Sequence, residues 1–206
     1  PENAMRIKNA IEYLRSASIW QKLDLKKPRA ATIEEVSTVH TINQIEEVAE
    51  IAKAGGGYLD PDTHVSPDSY EAALYASGAL LTAIDLVMDK KTDNAFCLVR
   101  PPGHHSTPAK AMGFCLFNNI AIAAKYIQSE YNLDRVAIID WDVHHGNGTQ
   151  DVFYDDPSVL FFSMHKYPFY PGTGAKEETG EGSGSGFTIN VPLSYNTEPQ
   201  DRKSVV

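Results

Sequence analysis

Residues 135–147 read RVAIIDWDVHHGN, a short apolar run that ends in two aspartates and two histidines. The run lacks the polar alternation of a half-exposed strand and therefore indicates a strand buried on both faces, as in parallel sheets. An uncompensated buried charge is costly, so the four ionisable groups must be exposed, hydrogen-bonded to one another or bound to a metal ion. The stretch predicts a parallel α/β sheet with a polar cluster at one strand end.

On both sides of this strand, helical and strand-like segments alternate. TIEE (residues 32–35) and TINQ (residues 41–44) have the spacing of a capping box, and each predicts a helix start. Residues 172–186, rich in Gly, Ser and Glu, predict a surface loop. The alternation predicts one α/β domain over residues 1–206, with three α/β/α layers and a mainly parallel sheet. Besides the helix after Thr32, helices are predicted at residues 5–20, 41–54, 67–89, 118–130 and 148–155, and strands at residues 95–99, 135–139, 159–163 and 187–193.

The composition excludes several classes of function. A net charge of −9 argues against general nucleic-acid binding, which requires a basic face. Two scattered cysteines, Cys97 and Cys115, are too few for a disulfide framework and favour a reducing compartment, the cytoplasm or the nucleus of a eukaryote. We find no apolar run of membrane-span length and no signal peptide in PENAMRIKNA. We therefore expect neither nucleic acid nor membrane as a direct partner.

Polar residues follow three of the predicted strands, at residues 100–105, 140–147 and 163–166. In an open parallel sheet, ligands bind beyond the carboxyl ends of the strands. Taken singly, each cluster is more often a solvated strand end or a rigid turn than a site. Their convergence at adjacent strand ends favours a functional site.

Asp142 and His144 are candidate metal ligands, because residues two apart in an extended chain point the same way. A carboxylate with an imidazole suits zinc or another transition metal better than calcium or magnesium. Catalytic zinc usually takes three protein ligands, so the third must come from elsewhere.

His104 and His105 are candidates for acid–base work beside such a metal, one taking a proton from the bound water and the other holding charge. A histidine in that role generally has its second ring nitrogen fixed by an acceptor. Asp140 and Asn147 are the natural candidates for these acceptors.

The motifs together resemble the histone deacetylase superfamily, the zinc-dependent deacetylases that include acetoin-utilisation proteins and acetylpolyamine amidohydrolases. The form RPPGHH and the position of Asn147 are closer to the class II and bacterial branch than to class I. The resemblance implies an arginase-like α/β fold and hydrolysis of an acetyl amide, on lysine in a protein or peptide or on a small amine. The motifs that carry it are PENAMRI, DTHVSP, RPPGHH, GFCLFNN, DWDVHHGNGTQ, SMHKYPFYPGTG and NVPL.

By resemblance, each candidate residue acquires a role. Zinc would be held by Asp142 and His144. His104 would pair with Asp140. His105 would be the general base and would pair with Asn147. Gly113 would offer its backbone to the substrate, and Phe114 and Tyr170 would flank a tunnel for the acyl-lysine stem. A structural potassium site would use Asp140, Ser163 and the carbonyls of Asp142, His144 and Met164. A second monovalent site is expected around Phe153, Asp156 and Val159, and Asp62 is expected at the tunnel rim.

Three parts of the family pattern have no counterpart in the chain: the first strand with its leading Gly-His, the third zinc ligand, an aspartate, and the tyrosine that stabilises the transition state. We therefore expect a fragment truncated at both ends, with weak metal binding and negligible turnover by itself. The alternatives are a deacetylase for acetylated polyamines or other small amides, a binuclear manganese ureohydrolase of the arginase type, and a non-catalytic interaction module on the same scaffold.

Overall fold

A computed structural model describes residues 2–194, 196 and 197. The predicted helices and strands are confirmed with shifted ends, apart from the strand at residues 95–99. A short hairpin of residues 57–58 and 64–65 was not predicted. The helices are α1 (Met5–Ser16), α2 (Ile33–Ser37), α3 (Ile42–Lys53), α4 (Ser69–Met88), α5 (Asn119–Tyr131) and α6 (Asn147–Phe153). The strands are β1 (Gly57–Tyr58), β2 (His64–Val65), β3 (Val136–Asp140), β4 (Val159–Lys166) and β5 (Thr188–Leu193), and 3-10 turns lie at Trp20–Lys22 and Gly182–Gly184.

The strands β3, β4 and β5 form a parallel sheet in that order, which confirms the predicted α/β class. Asp140 pairs with Ser163 and Ser163 with Asn190, so three polar side chains share one row across the sheet. The sequence had suggested that residues 163–166 follow the end of β4. They lie within it, because the strand continues to Lys166.

The two faces of this sheet differ in their surroundings. Ile138 and Phe161, neighbours in register, belong to the main hydrophobic core with residues of the helices. On the opposite face Ile139 is 63% exposed and Ile189 41% exposed. Within the described residues, the helices therefore cover one face of the sheet, and the prediction that β3 is buried on both faces is wrong.

The predicted strand at residues 95–99 is wrong, since none of these residues lies in a strand. Phe96 is 83% exposed, and the Cys97 thiol donates a hydrogen bond to the Ala79 carbonyl oxygen, 3.5 Å away. Among the described strands, β3 pairs only with β4, so this segment joins no ladder. An apolar run does not show whether a partner strand accepts its hydrogen bonds.

The two predicted capping boxes differ. At α2 the box is complete, with the Thr32 hydroxyl and the Glu35 carboxylate each accepting the other residue's N–H. At α3 the Thr41 hydroxyl accepts the Gln44 N–H at 3.4 Å, but the Gln44 side chain points elsewhere. Its amide donates to Ser106 Oγ and the Leu116 carbonyl oxygen at 2.9 and 3.0 Å. Because these two buried acceptors take the Gln44 amide as their donor, the second box is only half formed.

Helix α4 is long and apolar enough, by length and composition, to cross a membrane, so the expectation that no apolar run has that length is wrong. One side of this helix is nevertheless packed against the rest of the protein. Ala73 and Leu81 are fully buried, and the Asp85 carboxylate accepts hydrogen bonds from the Tyr126 and Tyr131 hydroxyls at 2.7 and 2.9 Å. These contacts hold α4 against α5.

We expect Gly78→Ala in α4 to destabilise the protein by about 3 kcal/mol, although alanine is the better helix former by ~1 kcal/mol. A Cβ at Gly78 would overlap the Arg29 carbonyl oxygen and lie 2.6 Å from the Ala31 nitrogen. Urea unfolding of the full-length protein measures the effect, with Ala72→Gly on the exposed side of α4 as the control, expected to cost about 1 kcal/mol. A stabilising Gly78→Ala would contradict the close contact.

Candidate active site

The tandem histidines lie in a loop that α5 holds in place. The Asn119 side-chain amide donates to the Pro101 carbonyl oxygen at 3.1 Å, and a Cβ on Gly103 would come within 2.6 Å of the Asn119 nitrogen. The rings of His104 and His105 lie 4.0 Å apart, centroid to centroid. The loop thus presents both imidazoles to the end of β3.

His104 pairs with Asp140, the last residue of β3, through a 2.8 Å contact between Nδ1 and Oδ2. The other carboxylate oxygen accepts the backbone N–H of Asp142 at 3.0 Å. Burial opposes protonation of His104, but the hydrogen bond and charge of Asp140 outweigh it and raise the pKa of His104. Burial also disfavours the Asp140 carboxylate, yet its hydrogen bond to His104 brings the pKa of Asp140 below its usual value. The geometry favours an imidazolium facing a carboxylate.

His105 pairs instead with a neutral side chain. Its Nδ1 lies 2.8 Å from Asn147 Oδ1, at the first residue of α6. Burial and then the positive charge of His104 lower the pKa of His105 to about 4, against the raising effect of the Asn147 hydrogen bond. Since Asn147 Oδ1 only accepts, His105 donates from Nδ1 and carries its lone pair on Nε2.

The two neighbouring imidazoles therefore differ in charge because their partners differ. Adjacent groups whose pKa values are pushed apart are a frequent basis for acid and base assignments. Here His105 is available to accept a proton, and His104 is placed to hold positive charge.

Asp142 and His144 lie side by side after β3, with Asp142 Oδ1 at 3.1 Å from His144 Nδ1. Two ligands of a tetrahedral zinc ion, each at about 2.0–2.1 Å, are themselves about 3.3 Å apart. The carboxylate also accepts the backbone N–H of His144 at 2.8 Å, which fixes its orientation. The donor types and their spacing fit two ligands of one zinc ion.

A third ligand is not present in the part of the chain that the structure describes. No group of three or more His, Cys, Asp or Glu side chains there could hold a metal ion. The described residues thus fit two of the three protein ligands of a catalytic zinc site.

Aromatic rings line one side of these imidazoles. The Phe169 ring stacks on His144 with centroids 5.1 Å apart and an interplanar angle of 11°. The Tyr170 ring stands edge-on to His105 at 5.0 Å and to His144 at 6.0 Å. No role was assigned to Phe169 from the sequence, and the structure places it against a candidate metal ligand.

Gly113 and Phe114 approach the same imidazoles from another loop. Gly113 has a φ of +59°, and a Cβ there would come within 2.5 Å of the His105 ring, so only glycine fits. The Phe114 N–H donates to Thr63 Oγ1 at 3.1 Å, and the Thr63 hydroxyl donates to Asp62 Oδ1 at 3.2 Å. Asp62 therefore lies beside the predicted tunnel wall.

The predicted potassium ligands lie around the same strand ends. Asp140 and Ser163 are neighbours in register, and the Ser163 hydroxyl is 2.9 Å from His165 Nδ1. At the second predicted site, the Asp156 side chain instead accepts hydrogen bonds from Lys125 at 2.8 Å and from Ser158. Both sites stay predictions.

Sequence reasoning gave no role to several buried histidines. His40, 2% exposed, accepts the Asn118 N–H at Nε2 and lies 3.0 Å from the Thr107 carbonyl oxygen at Nδ1, so it joins two loops around the site. Burial lowers the pKa of His40 to about 4. His145 and His165 are fully buried, with rings 4.7 Å apart. The only sequence signal for these two histidines was their position within the polar clusters.

Several known proteins are similar to this chain. The probable deacetylase of Archaeoglobus fulgidus is 40% identical over 208 residues, covering 100% of this chain and 57% of the relative. The histone deacetylase-like amidohydrolase of Pseudomonas aeruginosa is 41% identical over 194 residues, covering 94% and 50%. Human histone deacetylase 7 is 35% identical, covering 97% of this chain and 24% of the relative.

The crystal structure of the HDA15 HD domain superposes with a TM-score of 0.90 at 38% identity, covering 93% of this chain and 55% of that one. The chain thus spans about half the length of this domain and of the two prokaryotic relatives. The arginase/deacetylase-like α/β fold is shown by this similarity. Because the histone deacetylase domain model matches residues 1–206, this chain belongs to the histone deacetylase family.

Proposed function

We propose that the full-length protein hydrolyses the Nε-acetyl amide of lysine in a protein or peptide, using zinc. Family membership supports a deacetylase or related amidohydrolase. The observation that carries the proposal is the pair of adjacent histidines with different partners, His104 on Asp140 and His105 on Asn147, each at 2.8 Å.

In this proposal, each residue of the site has a separate role. His105 accepts a proton at Nε2, because Asn147 holds its Nδ1–H. His104 remains positively charged beside Asp140 and stabilises negative charge that develops nearby. Asp142 and His144, with a further ligand, would hold a zinc ion, which would supply Lewis acidity and lower the pKa of water toward about 7.

Substrate binding is assigned to the aromatic side chains around the imidazoles. Phe114 and Tyr170, 38% and 37% exposed, would contact the apolar stem of the acyl-lysine. Phe169 would complete this wall next to His144. Potassium bound near Asp140 and Ser163 belongs to the same proposal, and so does a cytoplasmic or nuclear location.

The test is acetate release by the zinc-loaded full-length protein from an acetyl-lysine peptide and, separately, from an acetylated polyamine. Mass spectrometry of the peptide and an enzymatic acetate assay give independent readouts. We expect faster turnover of the peptide. Preference for the polyamine would move the assignment to small amides, and release from neither substrate would contradict the proposal and favour an interaction module.

A polypeptide limited to residues 1–206 is expected to bind zinc weakly and to turn over at least about 100-fold more slowly than the full-length protein. The reason is that its described residues bring together only two of the usual three ligands. Zinc content after dialysis and acetate release measure this, with circular dichroism as the check of folding. Robust deacetylation by this polypeptide would show that two ligands suffice.

A further inference from the structure

The loop that follows Phe169 and Tyr170, residues 172–178, is held by the carboxylate of Glu178. Glu178 accepts the backbone N–H groups of Gly174 and Ala175 at 3.0 and 2.9 Å, and the Gln150 side-chain amide at 2.6 Å. Although burial raises the pKa of Glu178, its hydrogen bonds to Gln150 and these N–H groups outweigh burial and lower it. The loop therefore closes around an anionic side chain.

The same loop is attached to the buried pair His145 and His165. Thr173 Oγ1 lies 2.8 Å from His145 Nδ1, and the Gly174 carbonyl oxygen lies 2.9 Å from His165 Nε2. A Cβ on Gly174 would overlap His165 and come within 2.6 Å of the His145 ring, so the backbone lies directly on both imidazoles. Thr173 is only three residues after Tyr170, and a turn joins the Gly172 N–H to the Phe169 carbonyl oxygen at 2.7 Å.

The direction of these hydrogen bonds follows from the charge of Glu178. A carboxylate only accepts, so Gln150 must donate its Nε2–H groups to it and present Oε1 to His145 Nε2, 3.0 Å away. Asn190 Nδ2 donates to the same oxygen at 2.7 Å. His145 is then protonated at Nε2, and its Nδ1 accepts the hydroxyl hydrogen of Thr173.

We propose that Glu178 is a positioning residue for the substrate wall, formed by the rings of Phe169 and Tyr170. Glu178 fixes Thr173 and Gly174 on His145 and His165. It thereby holds the two rings against His144 and His105. This inference rests on the proposed function, because it assigns the wall to the acyl-lysine stem. Neither Glu178 nor Thr173 touches the reacting groups. A wall that contacts the stem equally in the ground state and in the transition state affects KM and leaves kcat nearly unchanged.

The test compares Glu178→Gln with Glu177→Gln, the same change at the exposed neighbouring residue, in the zinc-loaded full-length protein. For Glu178→Gln we expect KM for an acetyl-lysine peptide to rise about tenfold with kcat within about threefold of wild type. Glu177→Gln should leave both unchanged. Equal KM values for the two variants would overturn the proposal.

A second measurement separates this inference from the proposed function. Imidazole ¹H–¹⁵N spectra of the full-length protein should show His145 protonated at Nε2 in wild type and in Glu177→Gln, with this single tautomer lost in Glu178→Gln, whose amide can donate to Gln150. An inactive wild-type protein with this pattern contradicts the deacetylase proposal alone. An unchanged His145 spectrum in Glu178→Gln overturns the role of Glu178.

If Glu178→Gln does not fold, substitutions of the surface residue Thr173 test the proposal. Thr173→Val removes the hydroxyl donor to His145 and keeps the shape, and we expect it to raise KM about fivefold, with kcat little changed. Thr173→Ser restores the hydroxyl and should restore KM. Identical KM values for the valine and serine variants would overturn the proposal.

Discussion

Replacing His105 by alanine in the full-length protein is expected to lower kcat for an acetyl-lysine peptide by about 10³-fold, within the range of a lost general base. His105 is the imidazole whose pKa lies at about 4 and whose Nδ1–H is held by Asn147 at 2.8 Å. The loss of its Nε2 lone pair therefore removes the proton acceptor. KM should change little, since the aromatic wall remains.

His64→Ala is the matched control, because His64 is exposed on β2 and is not among the proposed site residues. Its kcat should stay within about twofold of wild type. Zinc content and unfolding temperature of both variants show whether the metal and the fold are retained. Added imidazole should partly restore the His105→Ala protein, while full activity of that protein without imidazole would refute the assignment of His105.

The fold could be predicted where local pattern and long-range pairing agree. The apolar runs before Asp140, and at residues 159–163, lie in a parallel sheet as expected. Residues 95–99 have the same apolar character but join no ladder among the described residues, because strand formation depends on a partner as well as on composition.

The site could be predicted where its members lie in the polar clusters that follow the predicted strands, as with His104 and Asp140, 36 residues apart. Asp142 and His144 are two residues apart, and their side-chain atoms meet at 3.1 Å. Glu178 carried no such signal, because it lies outside these clusters and, apart from Gln150, its contacts are to backbone N–H groups. A carboxylate that binds backbone leaves no trace in the residue types of its partners.

Asp142→Asn and Asp140→Asn are expected to separate metal binding from catalysis in the full-length protein. Asp142, with its side chain 48% exposed, has Oδ1 beside His144 Nδ1, whereas Asp140 is committed to His104 and to a backbone N–H. Changes to residues that only support metal ligands cost about 10–100-fold in affinity, so loss of the ligand charge at Asp142 should exceed about 100-fold.

Asp140→Asn should lower zinc affinity by about tenfold, the low end of this range, because its contact with the ligand is through the Asp142 backbone. It should nevertheless lower kcat by about 100-fold, because His104 loses the carboxylate that raises its pKa. Competition with a zinc chelator measures affinity, and acetate release at saturating zinc measures kcat. Zinc loss in Asp140→Asn with retention in Asp142→Asn would reverse the two roles, since the aspartate paired with His104 would then be the ligand.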